Sequence, residues 1–129
     1  MQERRKETRK NLMAYTQVFD LYGGFLLGYL SDLTLKGAMI ICDRAIEENN
    51  DITLGIELPE LPAVKSSRVT IAARALWCQQ DISPEFFNVG FEFKDVTDEQ
   101  GEVIQAIIDN YEFRRDVPPN YPIKPSPGK

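Results

Sequence analysis

The stretch FLLGYLSDLTLKGAMIIC, residues 25–42, decides the fold. It contains two apolar runs, residues 25–34 and 37–42, each of the length that a β-strand needs. The pair Gly23-Gly24, just ahead of the first run, marks a tight turn. This segment therefore predicts β-structure that the chain enters through a hairpin.

Runs of similar length lie on both sides of this stretch. Residues 13–22 alternate in character, which predicts a first strand that forms the hairpin with residues 25–34. A later run is rich in Val, Ile and Ala, and the last one carries aromatic or branched residues at every second position. The four further predicted strands cover residues 13–22, 52–58, 68–78 and 86–93.

One helix is predicted after the strands. Thr97 is a suitable N-cap, and Gln100 completes a capping box three residues later. An apolar stripe with helical spacing then follows at Val103, Ile104, Ile107, Ile108 and Tyr111. Six short strands and a C-terminal helix predict an all-β domain, a small antiparallel barrel or sandwich that the helix seals at one end.

The two ends of the chain differ from this domain, which we assign to residues 12–115. Residues 1–11 are polar and basic, and we predict that they form a mobile arm. Residues 116–129 are rich in proline and predict an extended or disordered tail. No secretory signal is visible, and no run approaches the ~18–20 apolar residues that cross a bilayer, so we expect no membrane insertion.

The composition argues against an enzyme. The chain contains no histidine, which excludes Ser–His and Cys–His catalytic pairs and leaves no His ligands for zinc. No metal cluster or Walker-type loop is visible either, so we predict no catalytic and no metal-binding residues. Cys42 and Cys78 lie in apolar runs and are predicted to be buried free thiols, which favours a cytoplasmic protein.

Charge is unevenly distributed along the chain. Residues 1–10 contain five basic and two acidic side chains, a net charge of +3, whereas the whole chain carries −5 and the remainder therefore −8. An acidic body repels a phosphate backbone, which disfavours general DNA or RNA binding. The basic segment is a local feature that needs an explanation of its own.

The basic segment has the chemistry to bind a guanine nucleotide. Guanine presents two acceptors, O6 and N7, on its Hoogsteen edge, and an arginine fork fits them bidentately. Arginine also pairs with phosphate and stacks on flat rings. Arg5 and Arg9 are four residues apart, so they share a side on a helix and, roughly 13 Å apart, on an extended arm. Both can therefore engage one elongated anionic ligand.

A second polar motif complements the arginines. Asp32 and Thr34 are spaced to share one face of a strand, with Leu33 and Leu35 directed into the core. A carboxylate accepts from the N1–H and N2–H donors of guanine. Gly37 is expected to supply a positive-φ turn or to allow close backbone approach to a flat ligand.

Each motif alone has a simpler interpretation. An arginine-rich terminus is typically a solvated arm, and a D-x-T-x-x-G segment is typically a turn that ends in glycine. Trp77, at the end of a predicted strand, is most simply a core residue, the alternative being a side chain that packs beside a bound base. The motifs become informative through their combination on one small β-domain.

This combination resembles the PilZ domain family. The resemblance covers roughly residues 3–113 and rests on the R-x-x-x-R spacing of residues 5–9 and the D-x-T-x-x-G pattern of residues 32–37. The order and the distances of the motifs also agree with the family. Two further matching segments are residues 75–77 (ALW) and 88–93 (NVGFEF).

The resemblance implies a six-stranded antiparallel barrel of split or Greek-key type with a flanking C-terminal helix. It also implies cyclic di-GMP as the ligand, with no cofactor. In members that bind it, the arginine motif grips phosphates and guanine edges and the second motif lines the base. Thr34 stands where the family usually has serine, which keeps the hydroxyl and adds a methyl. The implied site residues are Arg4, Arg5, Arg9, Asp32, Thr34 and Gly37, with Trp77 as a secondary candidate.

We therefore expect a cyclic di-GMP receptor whose arm orders on binding and regulates a partner protein of the flagellar, pilus or polysaccharide-synthesis machinery. The alternative is a PilZ-like adaptor that contacts proteins and binds no nucleotide. A nucleic-acid module that uses the basic arm is a third hypothesis, and the acidic body weighs against it.

Overall fold

The computed structural model of the protein describes residues 11–13, 15–58 and 67–113. Within this part of the chain, six strands form a closed barrel, two short strands form a separate parallel sheet, and one helix follows the barrel. The predicted arginine site residues (Arg4, Arg5 and Arg9) and the predicted tail (residues 116–129) lie outside the described residues. The elements are β1 (Asn11–Met13), β2 (Gln17–Asp20), β3 (Phe25–Leu33), β4 (Gly37–Cys42), β5 (Asp51–Glu57), β6 (Arg68–Gln80), β7 (Phe87–Phe93), α1 (Asp98–Asn110) and β8 (Tyr111–Phe113).

The barrel confirms the predicted fold class and decides between barrel and sandwich. Its strands follow the order β2-β3-β4-β7-β6-β5, every neighbouring pair is antiparallel, and β2 pairs with β5 to close the ring. Closure leaves no unpaired edge among these six strands, which removes a template for aggregation. Most predicted strand bounds are correct to within two residues; β6, for example, continues to Gln80.

The predicted first strand, residues 13–22, is wrong in its extent. Tyr15 has a positive φ of 59°, a conformation that no regular strand accommodates, so the chain turns there. The segment accordingly divides into β1, which pairs in parallel with β8, and β2, which enters the barrel. Asn11 lies opposite Tyr111, so the start of the described chain is held beside the end of the helix.

The core fills the barrel and continues under the helix. Burial alternates along the first part of β6, whereas β3 buries five consecutive residues, 27–31. The helix adds Ile104 and Ile107, both fully buried. The predicted capping box is confirmed: the Gln100 N–H donates to Thr97 Oγ1 at 3.0 Å, and the Thr97 N–H donates to Gln100 Oε1 at 2.8 Å. The helix ends before Tyr111, the last residue of the predicted stripe, which instead begins β8.

The two thiols are unpaired, as predicted, but only one of them is fully buried. Cys42 is buried, and this burial raises the pKa of its thiol, which keeps it neutral. Cys78 is partly buried. Cys42 lies opposite Phe87 and Cys78 opposite Val89, on the two sides of β7, so roughly 10 Å of sheet separates them. That spacing is too long for a disulfide.

Truncating a helix side chain that seals the barrel will test this architecture. Ile104→Ala removes methyl groups from a fully buried site and should lower the free energy of unfolding by about 2–5 kcal/mol. Ile82→Ala, a chemically identical change at a residue 97% exposed, should stay within about 0.5 kcal/mol of the parent protein. Urea denaturation measures both, and equal effects would contradict the packing of α1 on the barrel.

Candidate functional site

Two β-bulges shape the outer wall of the barrel. The register between β3 and β4 shifts after Leu30, so Ser31 is an extra residue, and the register between β6 and β7 shifts after Ala75, so Leu76 is another. Such an insertion turns the following side chains to the opposite face. Ser31 is buried, and its hydroxyl donates to the Met39 carbonyl at 3.2 Å, which satisfies the polar group inside the wall.

The bulges place four residues in one row across four strands. Asp32 on β3 lies opposite Met39 on β4, Met39 lies opposite Gly90 on β7, and Gly90 lies opposite Trp77 on β6. Strands are spaced by about 4.8 Å, so the two ends of the row are roughly 14 Å apart. A carboxylate therefore stands at one end of the row and an indole at the other.

Trp77 lies flat over Gly90. A Cβ added at Gly90 would collide with atoms of the indole ring, so glycine is what permits this close packing. The indole remains 39% exposed, and the simple interpretation of Trp77 as a core residue is therefore wrong. One face of the ring is supported by the sheet, which makes it a rigid apolar surface.

The turn between β3 and β4 is organised by the hydroxyl of Thr34. Oγ1 accepts from the backbone N–H groups of Lys36 at 3.2 Å and Gly37 at 3.1 Å, and the Thr34 N–H donates to the Gly37 carbonyl at 2.9 Å. Strand β3 ends at Leu33, so the predicted placement of Thr34 on the strand beside Asp32 is wrong. Leu35, predicted to enter the core, lies in the turn and is 46% exposed.

Gly37 is required for close packing and not for an unusual backbone angle. Its φ is not positive, contrary to one of the two expectations, and a Cβ at this position would collide with the Phe91 carbonyl oxygen of the neighbouring strand. The Phe93 N–H also donates to the Lys36 carbonyl at 2.8 Å, so the turn is bonded to the end of β7. Asp32 accepts at 2.9 Å from the Leu33 N–H.

An open cavity of about 760 Å³ lies over this row and turn. Its size suits a ligand larger than a single amino acid or sugar. The structure thus brings the predicted site residues Asp32, Thr34, Gly37 and Trp77 to one place. The apolar side chains at its border are Leu35, Leu76, Trp77 and Val96, all partly exposed.

The charged lining of the cavity is mostly acidic. Asp32, Glu92 and Asp95 line it, and within the described part of the chain Lys36 is the one cationic side chain among the lining residues. Carboxylates accept hydrogen bonds from a base but repel phosphate. A phosphate-containing ligand therefore needs cations from elsewhere in the chain.

Comparison with known proteins agrees with this geometry. The family model described as PilZ domain matches residues 3–110. The chain belongs to the PilZ domain family. The barrel is also similar to the solved structure "PilZ domain with c-di-GMP of YcgR from Escherichia coli", with a TM-score of 0.58 and 18% sequence identity over 83% of this chain and 90% of that one. At that identity the similarity establishes a shared fold. No curated protein shows a significant match to the chain.

Cations near the cavity of this PilZ domain are engaged elsewhere. Arg74 Nε lies 2.9 Å and Lys94 Nζ 3.4 Å from Oδ1 of Asp51, on the neighbouring strand. The hydrogen bond from Arg74 holds the pKa of the Asp51 carboxyl below its usual range. Both cations are thus drawn toward Asp51 and do not line the cavity.

Sequence reasoning missed part of the cavity wall. Met39 and Gly90 form the middle of the row, and Glu92 and Asp95 form part of the border of the cavity. None of the four was a predicted site residue. A glycine inside the aromatic strand was the available signal, since glycine in a strand often marks close approach. In the described ranges no helix is long and apolar enough to span a membrane, and no group of three or more Cys, Asp and Glu side chains is placed to hold a metal ion.

Substituting Gly90 will test the support of the indole. Gly90→Ala should displace the ring of Trp77, lower the free energy of unfolding by about 1–3 kcal/mol and shift the fluorescence of this single tryptophan toward longer wavelength. The control Gly101→Ala adds the same methyl to the helix in an uncrowded position, and should leave the emission unchanged and the protein slightly more stable. An unaltered emission spectrum in Gly90→Ala would refute the stacked arrangement.

Proposed function

We propose that this PilZ domain is a receptor for cyclic di-GMP. The observation that carries the proposal is the row from Asp32 to Trp77, which offers a guanine-binding carboxylate and an aromatic surface within one cavity. The structural relative from Escherichia coli is a PilZ domain described with c-di-GMP, which supports the choice of ligand. The role is binding and not catalysis.

Asp32 and Trp77 divide the recognition of the base between them. The carboxylate of Asp32 accepts from the N1–H and N2–H donors that distinguish guanine from adenine. The supported indole of Trp77 provides a flat face for a purine or for the apolar side of the ligand. Stacking of a base on an aromatic ring contributes about 1–3 kcal/mol.

The phosphates are bound by the arginines of the N-terminal segment. The cavity itself is rich in carboxylates, so Arg5 and Arg9, with Arg4 beside them, supply the positive charge that a diester ligand requires. The negative charges of the cavity lining and of the ligand are then balanced only when these arginines contribute their positive charge. This division makes the arm a conditional part of the site, which orders when the ligand is present.

Thr34 and Gly37 act by positioning. The Thr34 hydroxyl is used in the backbone of the turn, where it bonds two N–H groups, and Gly37 lets the turn approach β7 closely. The additional methyl of threonine, compared with the family's usual serine, therefore leaves the hydroxyl in its structural role. We propose that this turn fixes the position of Asp32 relative to the bound base.

The expected affinity follows from the number of charged contacts. Hydrogen bonds to charged groups contribute ~1.5–3 kcal/mol each, and a micromolar dissociation constant needs ~8 kcal/mol. Four or five such contacts together with stacking reach that value after ordering of the arm. We further propose that the receptor works in the cytoplasm and that the ordered arm presents a new surface to a regulated protein.

Calorimetric titration with cyclic di-GMP will test the receptor function. The wild-type chain should bind with micromolar affinity or tighter, and Arg5→Ala, Arg9→Ala or Asp32→Ala should each weaken binding by roughly 100-fold, since two charged hydrogen bonds are lost. Arg44→Ala is the matched control, because this exposed arginine stacks on Phe25 and does not line the cavity.

Titrations with GTP and cyclic di-AMP should give at least tenfold weaker binding, because each lacks part of the recognised chemistry. No heat from the wild-type chain at millimolar cyclic di-GMP would refute the receptor and leave the nucleotide-free adaptor as the better hypothesis.

Titration with cyclic di-GMP, followed by the quenching of Trp77 fluorescence, will test the role of the turn between β3 and β4. Thr34→Ser should retain affinity within about threefold, whereas Thr34→Val, which removes the hydroxyl at constant size, should weaken binding by roughly tenfold. Thr70→Val, an exposed threonine of β6 outside the cavity, controls for general effects of the change. Wild-type affinity in Thr34→Val would show that the turn does not need its side-chain bonds.

A further inference from the structure

The loop that joins β6 to β7, residues 81–86, carries an exposed apolar side chain at its tip. Ile82 is 97% exposed, the highest value among the large apolar residues that the structure describes. A lone exposed isoleucine on a flexible loop would need no explanation. This loop is different because it is held in one conformation by its own hydrogen bonds.

Backbone hydrogen bonds close the loop at its base. The Asp81 N–H donates to the Phe86 carbonyl at 2.9 Å, and the Phe86 N–H donates to the Ser83 carbonyl at 3.0 Å. Phe86 itself is buried, so the base of the loop is anchored in the protein. The backbone of the loop is therefore held to the ends of β6 and β7, which restricts its conformational freedom.

Side chains hold the loop from both strands. Both carboxylate oxygens of Asp81 accept hydrogen bonds at 2.9 Å, Oδ1 from the Asn88 side chain and Oδ2 from the Ser83 N–H. On the other side, the Gln80 side-chain amide donates to the Pro84 carbonyl at 2.9 Å. Five hydrogen bonds thus fix the backbone on either side of Ile82.

A fixed loop with a projecting apolar side chain is suited to binding a protein. The loop loses little conformational entropy on association, so less of the free energy gained by burying Ile82 is offset by ordering of the loop. An anchor of this kind fits a pocket of complementary shape. Ile82 has no such pocket within the described part of its own chain, where it stays in solvent.

The charge near Ile82 indicates which charge the surface of a partner protein carries. The loop itself, residues 81–86, contains no lysine or arginine and two carboxylates, Asp81 and Glu85. The chain as a whole is also acidic, with a net charge of −5. A partner with lysine or arginine side chains around an apolar pocket would be attracted, and an acidic surface would be repelled.

We propose that the tip of the β6–β7 hairpin is a docking element, with Ile82 as its anchor, for a protein whose apolar pocket is bordered by lysine and arginine side chains. The same geometry disfavours a second copy of this chain, since the cavity described above is bordered by Asp32, Glu92 and Asp95. The proposal is independent of the nucleotide, because none of residues 81–86 lines that cavity.

Paired capture and binding experiments will test the docking element. The full chain, Ile82→Asp and the control Tyr22→Asp are expressed with the same tag in host cells, and retained proteins are quantified by mass spectrometry with and without cyclic di-GMP. Tyr22 is 89% exposed on a different hairpin turn, so it matches Ile82 in exposure but not in position. Each protein that depends on Ile82 is then purified and titrated against the three chains at two salt concentrations.

We expect at least one protein whose retention falls about tenfold in Ile82→Asp and is unchanged in Tyr22→Asp. The purified protein should bind the wild-type chain more weakly at high salt, and Glu85→Lys should weaken it further. The proposal is overturned if no retained protein depends on Ile82, if binding is insensitive to salt, or if light scattering shows that Ile82 mediates a homodimer. Titration of Ile82→Asp with cyclic di-GMP gives the wild-type result in every case, which separates this test from that of the receptor.

Discussion

Side chains alternate along each strand of a barrel, so each residue faces either the core or the outside. A register shift of one position therefore moves every following side chain to the other face. In this PilZ domain two bulges use that constraint. Ser31 and Leu76 each add one residue to a strand, and Asp32 and Trp77 then align on the same outer row. The hydrogen bond from Ser31 to the Met39 carbonyl keeps the first insertion in place. The chemistry of the cavity depends on these two local irregularities.

The charged side chains that line the cavity do not by themselves match a ligand that contains phosphate. The cavity collects carboxylates, while the nearby cations Arg74 and Lys94 are bonded to Asp51. In the sequence the opposite charge is concentrated within the first ten residues. Such a division favours a ligand that carries both hydrogen-bond donors and negative charge, because neither segment alone matches it. A cyclic dinucleotide of guanine has this dual character.

The sequence was sufficient for the architecture because strand alternation and the capping box are local patterns. Residues 37–42 and the box at Thr97 and Gln100 were predicted as the structure has them. The prediction for residues 13–22 was wrong because the positive φ of Tyr15 leaves no compositional signal. The row itself was unpredictable, since it depends on which residues oppose each other across four strands and on two bulges that shift this register.

Predictions at single side chains were less reliable for the same reason. Leu35 and Trp77 are apolar and were assigned to the core by type, yet turn geometry exposes the first and a neighbouring glycine supports the second on the surface. Thr34 was predicted from a motif to line the ligand, and in the structure its hydroxyl accepts hydrogen bonds from the backbone of the turn. The motif at residues 32–37 pointed to the part of the barrel where the cavity lies, and only the pairing between strands shows which residues share its wall.

The parallel pairing of β1 with β8 has a consequence for sequence variation. Strand pairing is made by main-chain groups, and these are nearly the same whichever side chains the strands carry. The attachment point of the N-terminal segment beside the helix is therefore largely independent of that segment's composition. Related chains can therefore change the residues before Asn11 and retain this attachment beside the helix.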